Sequence, residues 1–341
     1  MDDELDDHAH ERKQWLDARG RGPHGEHLLG ASEAAAVLGW DRFTDAHQLW
    51  HRKAGLLPRQ DRSEEADAGH VFEAAILRWY ARRSGRRIVT PFEVAAQMLG
   101  DDMLDHDVHA LAMQLDDDVE VHHRSAVGVT FRSKRHRWMT FSPDAFAHDA
   151  ELGWGFVDAK NLAWHLEASW RDGIPAQYAP QIAHMTECVP SFQWGGFACC
   201  FGGQRLRWYD AKREDIEQIG FLVLELGEQF IDSLTEGVPP IPSERSAETL
   251  RRLYPTSSPS TVGWSGAVTV GEKRWTPTDF DLAWVEAIDQ RRAWSKRCDE
   301  LEAVIRHVAK DHEIVVLPDR TTYSLPTTAQ GRRIYRKEPK R

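Results

Sequence analysis

The first part of the chain shows hydrophobic positions at helical spacing. Apolar residues recur at helical intervals in "LLGASEAAAVLGW", "TDAHQLWHRKAG" and "EADAGHVFEAAILRWYARRSG". Ser32 and Thr44 are placed to cap the first two helices, and Gly85 is placed to end the third. The pattern therefore predicts a helical stretch before any strand.

Short runs rich in β-branched and aromatic residues occupy the middle of the chain. They are "RIVTPFEVA", "RWMTFSPDAFA", "WGFVDAK" and the two halves of "FQWGGFACCFGGQRLRWYD", which join at Gly202-Gly203. A long helical pattern, "REDIEQIGFLVLELGEQFIDSL", comes next. Helices and strands mixed in this way predict the α/β class, with a mixed central β-sheet flanked by helices.

Proline-rich breaks suggest how the chain is divided. We predict a polar N-terminal extension at 1–27, a core at 28–245 and, at 246–341, a helical segment followed by a small β-meander. Within this last part, apolar residues recur at spacings of 4, 3, 4 and 3: Trp294, Cys298, Leu301, Ile305 and Val308. This is the seam of a helix that packs against something, but two heptads are too few to assert a coiled coil.

Composition narrows the class of protein. A chain of 341 residues with 28% charged residues and no long apolar run predicts a cytoplasmic protein with no membrane partner. The four cysteines form no CxxC pair, so we expect reduced core residues. The net charge of −11 argues against binding nucleic acid through bulk charge, but "RRSGRR" (82–87) and "RSKRHR" (132–137) are locally basic. A solvated face is the ordinary explanation of such runs.

The main candidate catalytic residues lie in "WMTFSPDAFAHDAELGWGFVDAKN", residues 138–161. Because side chains alternate along a strand, Asp158 and Lys160 share one face. Asp144 lies 14 residues before Asp158, with turn-forming residues between them, so a hairpin would bring the two carboxylates together. Two close carboxylates repel each other, and a Mg²⁺ or Mn²⁺ ion between them removes the repulsion. Lys160 could then hold or help deprotonate a water molecule.

Two alternatives stay open at this point. The segment could be a surface hairpin with an incidental Asp–Lys pair, since D-x-K is a common tripeptide. Glu73 lies among apolar neighbours on its predicted helix, and it needs a partner that could be the same cation or a buried arginine.

Taken together, these segments resemble the PD-(D/E)xK nuclease superfamily and, within it, the YqaJ-type viral recombinases, the family of phage lambda exonuclease. The matching segments are "GASEAAAVLGW", "AGHVFEAAILRWY", "SPD", "DAK" and "PAQYAPQIAHM", spread over about residues 28–255. The resemblance implies a restriction-endonuclease-like core. One departure is Asp158, where many members carry the longer glutamate.

The resemblance also implies roles for individual residues. Glu73, Asp144, Asp158 and the Ala159 carbonyl would hold the metal, Lys160 would be the catalytic lysine, and Gln181 would support the site. Ser32 and Ser142 resemble hydroxyls that bind a 5′-phosphate, with Arg19 or Arg21 as the accompanying arginine. From local charge we add Arg132, Lys134 and Arg135 as DNA contacts.

The implied function is a Mg²⁺-dependent exonuclease that degrades linear double-stranded DNA 5′ to 3′ and leaves 3′ overhangs for recombination. A ring-shaped homotrimer and a single-strand annealing partner are part of the same expectation. The alternatives are a RecB-like single-strand nuclease, a restriction-type endonuclease and a DNA-end-binding module without activity. The four cysteines do not match the iron–sulfur layout of RecB-like nucleases.

Overall fold

The structure is a computed structural model that describes most of the chain. The described residues are 11, 14, 15, 17–58, 64–101, 105–256, 264–309, 313–318, 321–324, 327–328, 331–332 and 335–337. The chain forms two compact units, Met1–Pro259 and Ser260–Arg341. The predicted extension, core and C-terminal segment stay predictions.

The first unit contains nine strands and eight α-helices whose bounds are described, and residues 17–20 are also helical. The strands are β1 (Leu29–Gly30), β2 (Arg87–Val89), β3 (Val119–Arg124), β4 (Val129–Ser133), β5 (Met139–Phe141), β6 (Ala145–Asp149), β7 (Gly153–Leu162), β8 (Trp194–Phe201) and β9 (Arg205–Lys212). The helices are α1 (Ala34–Val37), α2 (Ala46–Lys53), α3 (Glu64–Ser84), α4 (Pro91–Met98), α5 (His106–Asp116), α6 (Ala179–Cys188), α7 (Arg213–Glu236) and α8 (Ala247–Leu253). Short 3-10 turns lie at Ala31–Glu33, Trp164–Trp170 and Glu244–Ser246.

The strands of this unit form two sheets. The larger has the order β2-β6-β7-β8-β9, and the smaller has the order β1-β5-β4-β3. In the larger sheet β7 runs parallel to β8, while the other neighbouring pairs are antiparallel. A mixed sheet between helices confirms the predicted α/β class.

Helices cover both faces of the larger sheet because β7 carries apolar side chains on both faces. On one face, Phe156 lies in a core with Ile182 of α6 and Val223 of α7. On the other, Val157 and Ala159 pack with the α3 side chains Ile76, Leu77 and Tyr80. The predicted alternation of side chains along β7 is confirmed, and α3 and α6 lie on opposite faces of the same strand.

Several local predictions need correction. "RIVTPFEVA" is a strand only over β2; from Pro91 it is helical, because Thr90 and Glu93 form a capping box that starts α4. Asp45, not Thr44, caps α2, and its side chain accepts a hydrogen bond from the Gln48 N–H. Ser32 caps no helix, since it lies inside the turn Ala31–Glu33.

The acidic stretch at 101–120, which matched no motif, contributes α5 and part of β3. Val108, Leu111 and Leu115 of α5 are buried in the main core. The acidic residues of this stretch therefore flank an ordinary amphipathic helix.

The second unit contains the long helix α9 (Pro277–Ala309) and small sheets. The strands are β10 (Val268–Val270), β11 (Lys273–Trp275), β12 (Ile314–Val316), β13 (Thr322–Ser324), β14 (Thr327–Thr328), β15 (Gly331–Arg332) and β16 (Tyr335–Lys337). They pair as β10-β11, β12-β13-β16 and β14-β15. In the described parts of the chain, no helix has the length and apolar character needed to cross a membrane.

Candidate active site

The predicted hairpin is formed by β6 and β7. Ala145 pairs with Val157 and Asp149 pairs with Gly153, so the strands are antiparallel along their shared length. Asp149 Oδ1 accepts hydrogen bonds from the N–H groups of Glu151 and Leu152, and Gly153 has φ of +72°, which favours glycine. The turn fixes the register of the two strands, and this register places Asp144 beside Asp158 at the end away from the turn.

Asp144 and Asp158 lie side by side at the end of the hairpin away from this turn. The Asp144 N–H donates to Asp158 Oδ1 at 3.4 Å, and the Ala159 N–H donates to Asp144 Oδ2 at 2.8 Å. Asp158 is only 3% exposed. The hairpin backbone thus holds a buried Asp158 next to a half-buried Asp144.

Lys160 and Gln181 complete a network around Asp158. The Lys160 Nζ lies 3.4 Å from Asp158 Oδ2 and donates to Gln181 Oε1 at 3.3 Å. The Gln181 Nε2 donates to Asp158 Oδ2 in turn. Gln181 lies in the first turn of α6, so packing of α6 against the sheet determines where its amide lies.

Two aromatic rings line the Lys160 side chain. The Lys160 Nζ lies 5.1 Å from the Phe197 ring centre and 6.0 Å from the Tyr178 ring centre. Phe197 reaches this place because it pairs with Asp158 across the parallel strands β7 and β8. The rings present their faces to the ammonium, which favours its charged form.

Glu73 approaches the site from α3 on the opposite face of the strand. Its side chain is half-buried, and its Oε2 lies 2.8 Å from His70 Nδ1, one helical turn earlier. The charge of Asp158 acts on Glu73, and the charge of Glu73 acts on Asp144. The three carboxylates and Lys160 therefore form one electrostatic group.

The pKa shifts follow from burial and from this crowding of acids. Burial, together with the charges of Asp158 and Glu73, raises the pKa of Asp144 well above its usual range. Burial also raises the pKa of Glu73, against the opposing effect of His70. For Lys160, burial lowers the pKa, but Asp158 and Asp144 outweigh it and raise the pKa.

The oxygen atoms of the site are of the chemical type that binds a hard divalent cation. Within the described residues, no group of three or more His, Cys, Asp or Glu side chains is already arranged to hold a metal ion. Yet burial and the charges of Asp158 and Glu73 raise the pKa of Asp144 despite the opposing charge of Lys160, so the site favours further positive charge. Carboxylate and carbonyl oxygens are the ligands that Mg²⁺ and Mn²⁺ prefer.

The two serines predicted to bind phosphate follow neighbouring parallel strands, since Gly30 of β1 pairs with Thr140 of β5. Ser32 is exposed, and its Oγ accepts a hydrogen bond from Arg19 Nη2 at 3.1 Å. Ser142 lies two residues before Asp144, with its Oγ 3.0 Å from Thr130 Oγ1. Of the two candidate arginines, Arg19 contacts Ser32, while Arg21 donates to the Gly25 and Lys53 carbonyls.

The predicted basic contacts are not equivalent. Arg132 is 3% exposed, its guanidinium lies 2.9 Å from Glu26, and it also donates to the Arg137 carbonyl. The structure therefore places Arg132 inside the unit and not on an open surface, since its charge is already paired. Lys134 and Arg135 are exposed, and Lys134 is paired with Asp116.

The basic cluster at 82–87 is also partly used inside the fold. Arg86 is paired with Asp149 and Asp210, and Arg87 is paired with Asp105 and Asp107. These ion pairs neutralise two of the arginines that made the 82–87 cluster a candidate for binding DNA.

Similarity to known proteins agrees with the motifs. Residues 14–188, about half of the chain, match the YqaJ-like viral recombinase domain. The chain belongs to this family. It is 22% identical to the uncharacterized protein YqaJ of Bacillus subtilis (strain 168) over 308 residues, which cover 89% of this chain and 79% of that protein. The predicted family is confirmed.

Solved structures with similarity to this YqaJ-like chain include an alkaline exonuclease, LHK-Exo, from Laribacter hongkongensis. It is 14% identical with a TM-score of 0.39, and the match covers 70% of this chain and 99% of that one. LHK-Exo in complex with dAMP is 13% identical with a TM-score of 0.38, over 69% of this chain and 96% of that one.

Sequence reasoning missed two neighbours of the site. His70 could have been found, because it lies three residues before Glu73 on one helix face. Phe197 could not, because the register between β7 and β8 joins residues far apart in the chain. The expectation for the cysteines also needs correction: Cys188, Cys199 and Cys200 are buried, but Cys298 is exposed.

Proposed function

We propose that this chain is a metal-dependent deoxyribonuclease that digests linear double-stranded DNA from its ends, 5′ to 3′, leaving 3′ overhangs for recombination. The observation that carries the proposal is the group formed by Asp144, Asp158, Lys160 and Glu73 on the β6–β7 hairpin and α3. Membership of a viral recombinase family supports the DNA substrate and the role in recombination.

Glu73, Asp144, Asp158 and the Ala159 carbonyl are the residues that would hold Mg²⁺ or Mn²⁺. When bound, the cation supplies positive charge that stabilises the attacking and leaving oxygens of a phosphodiester in the transition state. The Ala159 N–H, bonded to Asp144 Oδ2, keeps one carboxylate oriented before any cation arrives.

Lys160 acts as a cation and hydrogen-bond donor in this proposal. Its ammonium, held beside Asp158 and Gln181, can orient a water molecule or stabilise charge on a phosphate oxygen. Gln181 holds Lys160 and Asp158 at once, which supports its proposed role as a positioning residue.

The end of the DNA would be recognised through its 5′-phosphate. The Arg19–Ser32 pair offers a guanidinium and a hydroxyl that can bind phosphate oxygens, and Ser142 lies next to the proposed metal ligands. Lys134 and Arg135 are the proposed exposed contacts to the DNA backbone.

A digestion assay tests the proposal directly. Wild type and Lys160→Ala are compared on linear duplex DNA with 5′-phosphates, on single-stranded DNA and on covalently closed circles, each with Mg²⁺ or EDTA. We expect release of 5′-mononucleotides from linear duplex only, lost with EDTA and in the variant. Cleavage of closed circles, preference for single strands, or full activity of Lys160→Ala would contradict the proposal.

A further inference from the structure

A histidine on α3 lies at the edge of the proposed metal site. His70 Nδ1 is 2.8 Å from Glu73 Oε2, and the His70 side chain is 46% exposed. Residues three apart lie on the same side of a helix, so the contact follows from the helix itself. The proposed function uses Glu73 as a metal ligand but gives His70 no role.

Each of the three carboxylates of the site accepts a hydrogen bond from the protein. The Ala159 N–H donates to Asp144 Oδ2, and the Gln181 amide donates to Asp158 Oδ2. His70 is the corresponding donor for Glu73. Donors of this kind orient carboxylates that bind a metal, and they affect the affinity for the metal although they do not touch it.

Glu73 depends on its donor more than the two aspartates do. Both aspartates lie on the hairpin, where backbone N–H groups reach them, whereas Glu73 comes from α3. Its side chain is also one methylene longer, so its carboxylate loses more rotational freedom when it is fixed. Among the described residues, His70 is the only hydrogen-bond donor to this carboxylate.

The contact assigns the proton on the His70 ring. A carboxylate oxygen can only accept, so Nδ1 carries the hydrogen atom. Nδ1 donates in the neutral imidazole of this tautomer and in the imidazolium alike, so the bond does not require His70 to be charged. The bond engages Glu73 Oε2 and leaves Glu73 Oε1 available to a cation.

We propose that His70 is a positioning residue of the metal site, which holds Glu73 Oε2 so that Glu73 Oε1 can bind the cation. The inference rests on the proposed role of Glu73 as a metal ligand. The ordinary alternative is a surface pair that contributes only to the stability of α3. A positioning residue changes the affinity for the cation, whereas a surface pair does not.

Mn²⁺ binding in the absence of DNA tests the proposal without any need for turnover. Electron paramagnetic resonance measures free Mn²⁺ during titration of the full-length protein. His70→Ala should bind Mn²⁺ about tenfold more weakly than wild type. His70→Asn, whose amide nitrogen can take the place of Nδ1, should restore most of the affinity. The matched control is His109→Ala, which changes an exposed histidine of α5 and should bind like wild type.

A double substitution tests whether His70 acts through Glu73. In the Glu73→Gln background, His70→Ala should cause little further loss of Mn²⁺ affinity, because the two residues act as one unit. Equal affinity in His70→Ala and wild type, an equal loss in His70→Ala and His70→Asn, or a full further loss in the Glu73→Gln background would overturn the inference.

The same titration separates this inference from the proposed function. A wild-type protein that binds no Mn²⁺ would overturn the role of His70 together with the proposed metal site. Mn²⁺ binding with the expected order of the variants supports the role of His70, even if the protein digests no DNA. That last result would contradict the proposed nuclease activity alone.

Discussion

The two ends of the β6–β7 hairpin carry ionic clusters of opposite character. At the turn end, Arg86 donates to Asp149 at 2.9 Å, to Asp210 at 2.8 Å and to the Tyr80 hydroxyl at 2.7 Å, and its guanidinium lies 4.4 Å from the Trp194 ring centre. At the other end, three carboxylates share a single lysine. At the turn end the carboxylates accept hydrogen bonds from Arg86, whereas at the site end the carboxylates repel one another.

The pKa shifts express this difference. At the turn end, the pKa of Arg86 is raised, mainly by hydrogen bonds that outweigh burial, and hydrogen bonds lower the pKa of Asp149. At the site end, the pKa of Asp144 is raised by burial and neighbouring acids. Carboxylates whose negative charge is raised in energy by the fold are what a site for a cation requires, whereas carboxylates that are hydrogen-bonded to an arginine stabilise the structure.

The largest expected effect is on activity, from Asp158→Asn. The change keeps the shape but removes the charge that lies beside Lys160 and Gln181. Nuclease activity should fall by about 10³-fold, with little loss of thermal stability. Initial rates of nucleotide release measure it. A variant that keeps a tenth of the wild-type rate would show that Asp158 is not essential.

The opposite outcome is expected for Arg86→Met, the matched change in the cluster at the turn end. It leaves Asp149 and Asp210 close together without their cation, so the free energy of unfolding should fall by about 3 kcal/mol. The activity per folded molecule should stay near that of wild type. Urea unfolding measures the loss, and an unchanged midpoint would mean that the cluster contributes nothing to stability.

A smaller effect on rate is expected for Gln181→Ala. Its amide touches Asp158 and Lys160 but would not touch the DNA, so the rate should fall by about tenfold. Gln181→Glu adds a further acid and should not restore the rate. A loss as large as that of Asp158→Asn would instead give Gln181 a direct part in the reaction.

The smallest effect is a gain of stability in Asp144→Asn. Because the pKa of Asp144 is raised in the folded state, its carboxylate destabilises the fold above its unfolded-state pKa. In EDTA, the variant should be more stable by about 1 kcal/mol near pH 8, and the gain should vanish towards about pH 4.

Asp149→Asn is the matched control for this pH dependence. The lowered pKa of Asp149 adds stability at neutral pH that is lost as the pH falls through its folded-state value. Its variant should therefore be less stable than wild type at neutral pH, and the deficit should shrink in acid. If the stability of both variants relative to wild type changed with pH in the same direction, the contrast between the two clusters would be wrong.

The sequence predicted the parts of the site that depend on local geometry. The two-residue period of a strand placed Asp158 and Lys160 on one face, and the turn residues brought Asp144 beside them. These relations need only the hairpin itself. The α/β class followed from the order of the elements in the same way.

The remaining parts depend on tertiary packing. Gln181 was identified only through the family resemblance, because nothing local shows that α6 packs over β7. Arg132 reads as a basic surface residue until Glu26, far away in the chain, is seen to pair with it. The same holds for Arg86, which the sequence grouped with residues proposed to bind DNA.

The central claim is that the site end of the hairpin is completed by a divalent cation. Thermal unfolding with and without Mn²⁺ tests it in wild type, Arg86→Met and Asp158→Asn. We expect Mn²⁺ to raise the melting temperature of wild type and of Arg86→Met, and to leave Asp158→Asn unchanged. No change in wild type, or an equal rise in Asp158→Asn, would contradict the account.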